Sequence, residues 1–297
     1  MSTLTPSQQR TSRRGLGRAV PRPFVKWAGG KGQILAELRP RLPARFGAYH
    51  EPFTGGGALF FALYRDRLLQ EKRIYLSDIN AELVDAYCAI RDRVEDVIEI
   101  LKTHCYEKDY FYQVRALNPF DLSLPERVAR MIFLNRAGFN GLYRVNSKGE
   151  FNVPFGRYTN PSICDPDNLL SVSAALKNAV IQREPFEKVL ERAQPGDLVY
   201  FDPPYPPLST TAHFVAYART GFTLDDHERL AQVFAELVRR GVFTVLSNAD
   251  TPWVRERYQA FRVDAILARR AINSKEELRG PVGEMIVTGG HSFPLTG

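Results

Sequence analysis

The stretch DLVYFDPPYPPLST runs from Asp197 to Thr210. Its first part, DLVYF, has the apolar and aromatic content of a buried strand. It then meets an acid, two prolines and a tyrosine: Asp202, Pro203, Pro204 and Tyr205. Each proline fixes φ at about −65° and carries no backbone N–H. Pro203 also steers Asp202 away from helical geometry. The turn therefore presents acceptors, namely the Asp202 carboxylate and the carbonyls around Pro203, and Tyr205 adds a flat face. Acceptors beside an aromatic face suit an exocyclic amine on a planar base, which donates two hydrogen bonds while its ring stacks.

The lone pair of such an amine is delocalised into its ring, so the nitrogen is a poor nucleophile. Two fixed acceptors pull it toward a tetrahedral shape and stabilise the positive charge that develops on it. A methyl sulfonium held in line completes a direct displacement, with geometry supplying much of the rate. No nucleophilic cysteine is required. Cys88, Cys105 and Cys164 all lie outside a Pro-Cys setting, which argues against attack on cytosine carbon-5. The competing reading of DPPY is an acidic turn after a strand. Its setting, behind an apolar strand and in a chain with two glycine turns, favours the functional one.

The first glycine turn is EPFTGGG, Glu51 to Gly57. It follows a short strand and precedes a helix. Its glycines allow a tight turn and a close approach to a ligand, and the helix start beyond offers free amides. Asp78 ends the next strand, 23 residues after Gly55. At that distance an acid meets a ribose in nucleotide-binding α/β folds. Together they favour a nucleoside-containing ligand over a plain turn. The second turn, FVKWAGGKGQ (Phe24–Gln33), sets Lys26 and Lys31 beside glycines. A lysine beside exposed amides suits a carboxylate or phosphate, although taken by itself this stretch reads better as a Gly-Gly turn with two solvated lysines.

These residues need a scaffold that brings strand ends together. Strands are expected at Tyr49 onward, Arg73–Asn80, Ala179–Glu184, Asp197–Phe201, Val242–Ser247, Phe261–Leu267 and Glu284–Thr288. Helical periodicity spans Ala81–His104 as one segment, Leu124–Arg136, and Thr223–Gly241, the last with a Thr223 cap and a terminal glycine. Ala137–Tyr158 reads as a loop with a short hairpin. The expected architecture is α/β and doubly wound, with a mostly helical insertion. The expected division is a basic disordered tail over 1–23, a catalytic unit over 24–80 and 165–297, and an insertion over 81–164.

The 297 residues carry a net charge of +7. Residues 1–50 hold ten arginines or lysines and one acid, Glu37. Such a field suits a polyanion such as nucleic acid, or is simply a soluble basic surface. No apolar run reaches the roughly 18 residues of a membrane helix. The scattered cysteines and histidines have no metal-ligand spacing, and a reducing cytoplasmic setting fits them.

FVKWAGGK, EPFTGGG, SDIN, FLNRAGFNGLYRVNSKGEFNVPFGRY and DPPYPPLS stand in this order. Together they resemble the Dam family (D12 class, group alpha) of S-adenosyl-L-methionine-dependent DNA adenine-N6 methyltransferases. The resemblance implies a Rossmann-like methyltransferase sheet and a target-recognition insertion over 81–164. It implies double-stranded DNA as substrate, GATC as the typical target, and a monomer on DNA. It places Trp27 and Lys31 on the methionine side of the cofactor and Asp78 on its ribose. Glu51, Phe53, Gly55 and Gly57 form the turn beneath. Asp202, Pro203, Pro204 and Tyr205 hold the flipped adenine, with Asp202 also touching the cofactor. Arg144 matches the reader of a guanine, Leu142 and Pro154 contacts to a thymine methyl, and Lys26 and Tyr158 contacts to the first guanine. Asn140 falls near the orphaned base, and Phe139 takes the place of a tyrosine wedge. Asn146 and Arg157 match phosphate contacts. The loop Arg269–Glu284 is less basic than the family's usual one.

Three alternatives stand beside this reading. One is the same chemistry on another sequence, as a restriction partner's methylase. Cytosine-N4 methylation is disfavoured by an aspartate where such enzymes more often carry serine. A non-catalytic nucleic-acid-binding relative is disfavoured by the intact DPPY and glycine turns.

Overall fold

The computed structural model describes residues 20–27, 29–206, 222–269 and 281–290. Most of the basic tail, most of the Arg269–Glu284 loop and the end of DPPYPPLS lie outside the described residues. After a short helical turn, α1 (Leu35–Leu38), the first half of the fold runs β1 (Tyr49–Glu51), α2 (Ala58–Arg65) and β2 (Ile74–Asp78). Four helices follow: α3 (Ala81–Asp92), α4 (Val94–Thr103), α5 (Lys108–Ala116) and α6 (Leu124–Ala137). A long non-repetitive segment leads to α7 (Pro166–Leu176) and β3 (Ala179–Arg183). The second half holds β4 (Leu198–Phe201), α8 (Leu224–Arg239), β5 (Phe243–Ala249), α9 (Pro252–Arg257), β6 (Arg262–Arg269) and β7 (Pro281–Gly289).

The seven strands form one sheet in the order β3-β2-β1-β4-β5-β7-β6. β1 to β5 are parallel, and β7 runs antiparallel between β5 and β6. Two-residue alternation sorts each inner strand between two cores. On β4, Leu198 and Tyr200 join the layer of α2, α3, α6 and α7, while Val199 and Phe201 join that of α8 and α9. Strand order reverses between β1 and β4, and the crevice beyond their carboxyl ends is where such sheets bind ligands. The doubly wound expectation is met.

One expected element is corrected. Ala81–His104 is two helices, broken at Arg93 with φ −138° and ψ 33°. Both helices pack on α6 and α7, and the break lets α3 also reach β2 and β3. Glu95 and Asp96 then sit in the first turn of α4, where acids favour a helix start. Helices α5, α7 and α9 were not expected. Two of them carry legible starts, because Asp165 before Pro166 and Thr251 before Pro252 each pair a side-chain cap with an N1 proline. α8 starts as expected, with Thr223 and Asp226 forming a capping box.

Candidate active site

Three strand ends converge at the switch point. β1 delivers Glu51, β2 delivers Asp78, and β4 delivers Asp202 just past Phe201. Asp202 is largely buried, and the Lys31 ammonium lies 2.9 Å from its Oδ1. The Ser247 hydroxyl, on neighbouring β5, donates to the same oxygen at 2.9 Å. Ser247 is fixed in turn by the Tyr200 hydroxyl at 2.9 Å. Burial pushes the Asp202 carboxyl above its ordinary range, against the opposing pull of Lys31 and Ser247. Lys31 also donates to the Gly29 carbonyl at 2.9 Å and stands 4.5 Å from the Tyr205 ring centroid. The DPPY turn thus sets a carboxylate, a cation and an aromatic face together at one strand end.

The glycine turn lies on the opposite wall. Gly55 and Gly57 have φ of +48° and +67°, the left-handed region that disfavours a side chain. A Cβ on Gly57 would lie 2.7 Å from the Tyr87 hydroxyl, and one on Gly55 3.1 Å from the Trp27 ring. Tyr87 donates to the Gly55 carbonyl at 3.1 Å, while the Gly55 N–H donates to Asp78 Oδ2 at 3.0 Å. The turn and the strand-ending acid are therefore one hydrogen-bonded unit. Burial raises the Asp78 carboxyl, opposed by the N–H groups of Asn80, Gly55 and Ile79. Glu51 is buried and accepts from the Tyr49 hydroxyl at 2.8 Å. Burial, with Asp202 and Asp78 nearby, pushes it up to about 8 against the Tyr49 hydrogen bond. Phe53 stacks on Phe186 at 5.5 Å and is edge-on to Phe222 at 5.5 Å.

Trp27 joins this pocket to the segment beyond α6. Its ring stacks on Tyr143 at 4.9 Å and borders Gly55 and Gly56. The Tyr143 hydroxyl meets Glu82 and Asn80, and burial raises it strongly. Phe139, Asn140, Arg144, Pro154 and Arg157 are exposed, whereas Leu142, Asn146 and Tyr158 are half-buried. Bridges at Gly138–Phe155 and Val145–Phe151 fold this stretch into the expected short hairpin. Arg144 Nε donates to Asn152 Oδ1 at 2.6 Å. Asn146 turns inward, accepting from the N–H groups of Lys148 and Glu150 and donating to the Glu150 carboxylate. The Lys26 ammonium sits 5.0 Å from the Tyr158 ring centroid, and Tyr158 donates to the Gly138 carbonyl at 3.1 Å.

Side chains that sequence reasoning passed over also belong to this arrangement: Tyr49, Tyr87, Tyr143, Tyr200 and Ser247, with Asn135 bonded to the Lys26 main chain. Tyr49 and Ser247 lie inside strands and read as ordinary strand residues. Tyr143 lies one place from Arg144, and nothing local marks it as a partner of Trp27. His227, scattered from its fellows in sequence, is a core residue flanked by Phe222 and Trp253, and burial lowers it to about 4. Among the described residues no group of His, Cys, Asp or Glu is arranged to hold a metal ion, and no helix is long and apolar enough to cross a membrane.

A doubly wound sheet that gathers three acids, a glycine turn and a DPPY turn at its switch point is the setting in which α/β sheets bind ligands. Residues 27–272 match the family model of the D12 class N6 adenine-specific DNA methyltransferases, and the chain belongs to that family. It is 42% identical over 275 residues to the Type II methyltransferase M1.LlaDCHI of Lactococcus lactis subsp. cremoris, spanning 90% of this chain and 95% of that protein. It is 41% identical over 276 residues to the Type II methyltransferase M.MjaIII of Methanocaldococcus jannaschii, spanning 87% and 95%. It is 35% identical over 276 residues to the DNA adenine methylase of Escherichia coli strain K12, spanning 89% and 94%. The protein is thus an adenine-specific DNA methyltransferase whose relatives include both DNA adenine methylases and Type II methyltransferases.

Proposed function

We propose that the protein transfers the methyl group of S-adenosyl-L-methionine to N6 of an adenine flipped out of double-stranded GATC. The observation that carries the chemistry is the Asp202 carboxylate held by Lys31 and Ser247 beside the Tyr205 ring. Among the described residues both bonds fall on Oδ1, which leaves Oδ2 as an acceptor for an incoming amine. The Pro203 carbonyl is the second acceptor, and Tyr205 stacks on the base. Pro204 completes the rigid turn.

The residues present fit the cofactor. Cβ atoms at Gly55 and Gly57 would meet the Trp27 ring and the Tyr87 hydroxyl, so the glycines keep this turn tight, and the carboxyls of Glu51, Asp78 and Asp202 gather at neighbouring strand ends. In this reading Asp78 holds the ribose hydroxyls, Lys31 and Trp27 the methionine end, and Glu51 with Phe53 the floor. When bound, the cofactor supplies an electrophilic methyl on a sulfonium. Asp202 and Pro203 would orient the amine toward it by accepting hydrogen bonds from its two N–H groups and would stabilise the positive charge that grows on N6, which is discharged when one of these protons leaves to solvent.

The assignment of GATC rests on the match of Lys26, Leu142, Arg144, Pro154 and Tyr158 to base contacts. Phe139 serves as the wedge, Asn140 lies near the orphaned base, and Asn146 and Arg157 lie along the phosphates. We assign residues 24–80 and 165–297 to catalysis and 81–164 to target recognition, with α3 also packing on the sheet. The protein acts as a monomer in the cytoplasm. The second reading is the same chemistry on a different site, as a restriction partner's methylase; the identity to the two Type II methyltransferases supports its restriction role.

Asp202→Ala tests the chemistry. It removes the acceptor for the adenine amine and leaves the side chains assigned to the duplex grooves and phosphates in place, so methyl transfer falls by at least about 10²–10³-fold while duplex affinity is largely kept. Equal activity in the variant refutes the mechanism.

A further inference from the structure

Asn135 lies near the end of α6 and has no exposed surface. Its amide is fully engaged. Oδ1 accepts from the Lys26 N–H at 2.8 Å, and Nδ2 donates to the Lys26 carbonyl at 2.8 Å and to the Gly141 carbonyl at 2.8 Å. One side chain thus fixes both main-chain groups of a residue 109 positions earlier and a carbonyl six positions later. The amide has only one orientation that works, because its reverse would set Oδ1 against two carbonyls. The adjacent Arg136 donates to the Phe24 carbonyl at 2.9 Å, so the end of α6 grips Phe24–Lys26 at three main-chain groups.

The Lys26 side chain itself is left exposed. Its stem crosses Gly141, where an added Cβ would lie 2.2 Å from Lys26 Cδ. Gly141 has φ of +64° and follows Asn140 at +55°, so two successive left-handed residues shape this crossing. Beyond it the ammonium reaches the Tyr158 ring, which is tied back to Gly138. Lys26, the Gly138–Leu142 turn and Tyr158 therefore share one frame, and Asn135 is its buried centre.

We infer that Asn135 is a positioning residue for sequence discrimination, setting the Lys26 main chain and the Gly141 turn in one frame so that Lys26 and Leu142 meet the duplex in fixed relation. This rests on the reading above, in which both side chains touch base edges. Asn135 is buried and makes no DNA contact of its own. A loosely held lysine still attracts phosphates, which carry no sequence information. It does not keep a directed hydrogen bond to one base edge. The loss therefore falls on discrimination more than on affinity.

The test compares kcat/KM of the full chain on its preferred duplex and on every single-base variant of that duplex. The proteins are wild type, Asn135→Asp, Gly141→Ala and Lys26→Met, with circular dichroism and S-adenosylhomocysteine affinity as folding controls. Asn135→Asp keeps the acceptor for the Lys26 N–H and sets a carboxylate against two carbonyls. Gly141→Ala leaves Asn135 in place and pushes the Lys26 stem aside, so it carries the test if the aspartate variant does not fold. Both are expected to lower the preference at the base read by Lys26 by about tenfold or more, with a smaller change at the base read by Arg144. A uniform fall on all duplexes, with unchanged ratios, overturns the inference. If Lys26→Met alone keeps the full preference while Asn135→Asp loses it, the base-reading role of Lys26 fails and the frame set by Asn135 stands through Leu142.

Discussion

The Lys31 ammonium and the Asp202 carboxylate, from segments 171 residues apart in the chain, meet at 2.9 Å with the lysine side chain only 7% exposed. A lysine is buried this far only when paired. The pair ties the FVKWAGGKGQ turn to the DPPY turn and holds Asp202 nearer its anionic form. Lys31→Met removes that pull, and the Asp202 carboxyl then titrates at higher pH. A carboxylate that must be ionised loses function as pH falls through its pKa. The acid limb of the kcat/KM profile is therefore expected to move to higher pH, with a loss of about tenfold or more at neutral pH. A pH–rate profile superimposable on wild type would contradict this role.

Ser247 holds the same oxygen through a bond to a charged acceptor, worth about 1.5–3 kcal/mol. Ser247→Ala is expected to lower kcat by roughly ten- to a hundredfold, the same energy expressed as a rate. Tyr200 remains buried, and little core volume is lost. Thermal melts should change by much less than the kinetics, and single-turnover rates measure the chemical step directly.

Glu51 gives a pH signature of the fold. Its folded-state pKa, about 8, lies above that of an unfolded glutamate, so the native protein binds the extra proton between these values. Stability without ligand therefore falls as pH rises from the ordinary glutamate range toward 8. Glu51→Gln keeps an acceptor for the Tyr49 hydroxyl and removes the titration. Melting temperatures of the variant should decline less from pH 6 to pH 9 than those of wild type, and parallel curves would exclude Glu51 as the cause.

Gly57→Ala places a methyl against Tyr87 and Phe61 at a φ of +67°. The expected cost is about 1–3 kcal/mol from backbone strain alone. Cofactor affinity, read by calorimetry with S-adenosylhomocysteine, should fall more steeply than stability, because the turn and Asp78 share the Gly55 hydrogen bond. Full affinity in a folded variant would separate the turn from the cofactor.

The parts of the site that sequence made legible are those whose backbone chemistry is local. Two prolines after an apolar strand dictate an acceptor-rich turn whatever surrounds them. Glycines between a strand and a helix announce a close approach, and Asp78 was placed at a strand end by the same logic. The partners of these residues were not legible, because they arise from strand neighbours and long crossovers. Ser247 reaches Asp202 only because β5 lies beside β4, and Asn135 reaches Lys26 only because α6 returns over the amino-terminal segment. The break at Arg93 was hidden for a related reason: the apolar spacing continues across it, and the contacts of α3 with β2 and β3, beyond the α6 and α7 packing that both helices share, decide the geometry. β7 between β5 and β6 likewise follows from antiparallel pairing, which composition does not encode.

The most direct test of the central claim is methyl transfer from labelled S-adenosyl-L-methionine to duplex oligonucleotides carrying GATC or its single-base variants. The account predicts label only in the GATC duplex, recovered as N6-methyladenine. Label as N6-methyladenine in another site keeps the Asp202 chemistry and contradicts the assignments of Lys26, Leu142, Arg144, Pro154 and Tyr158. Absence of label in every duplex, with the cofactor measurably bound, contradicts the account as a whole.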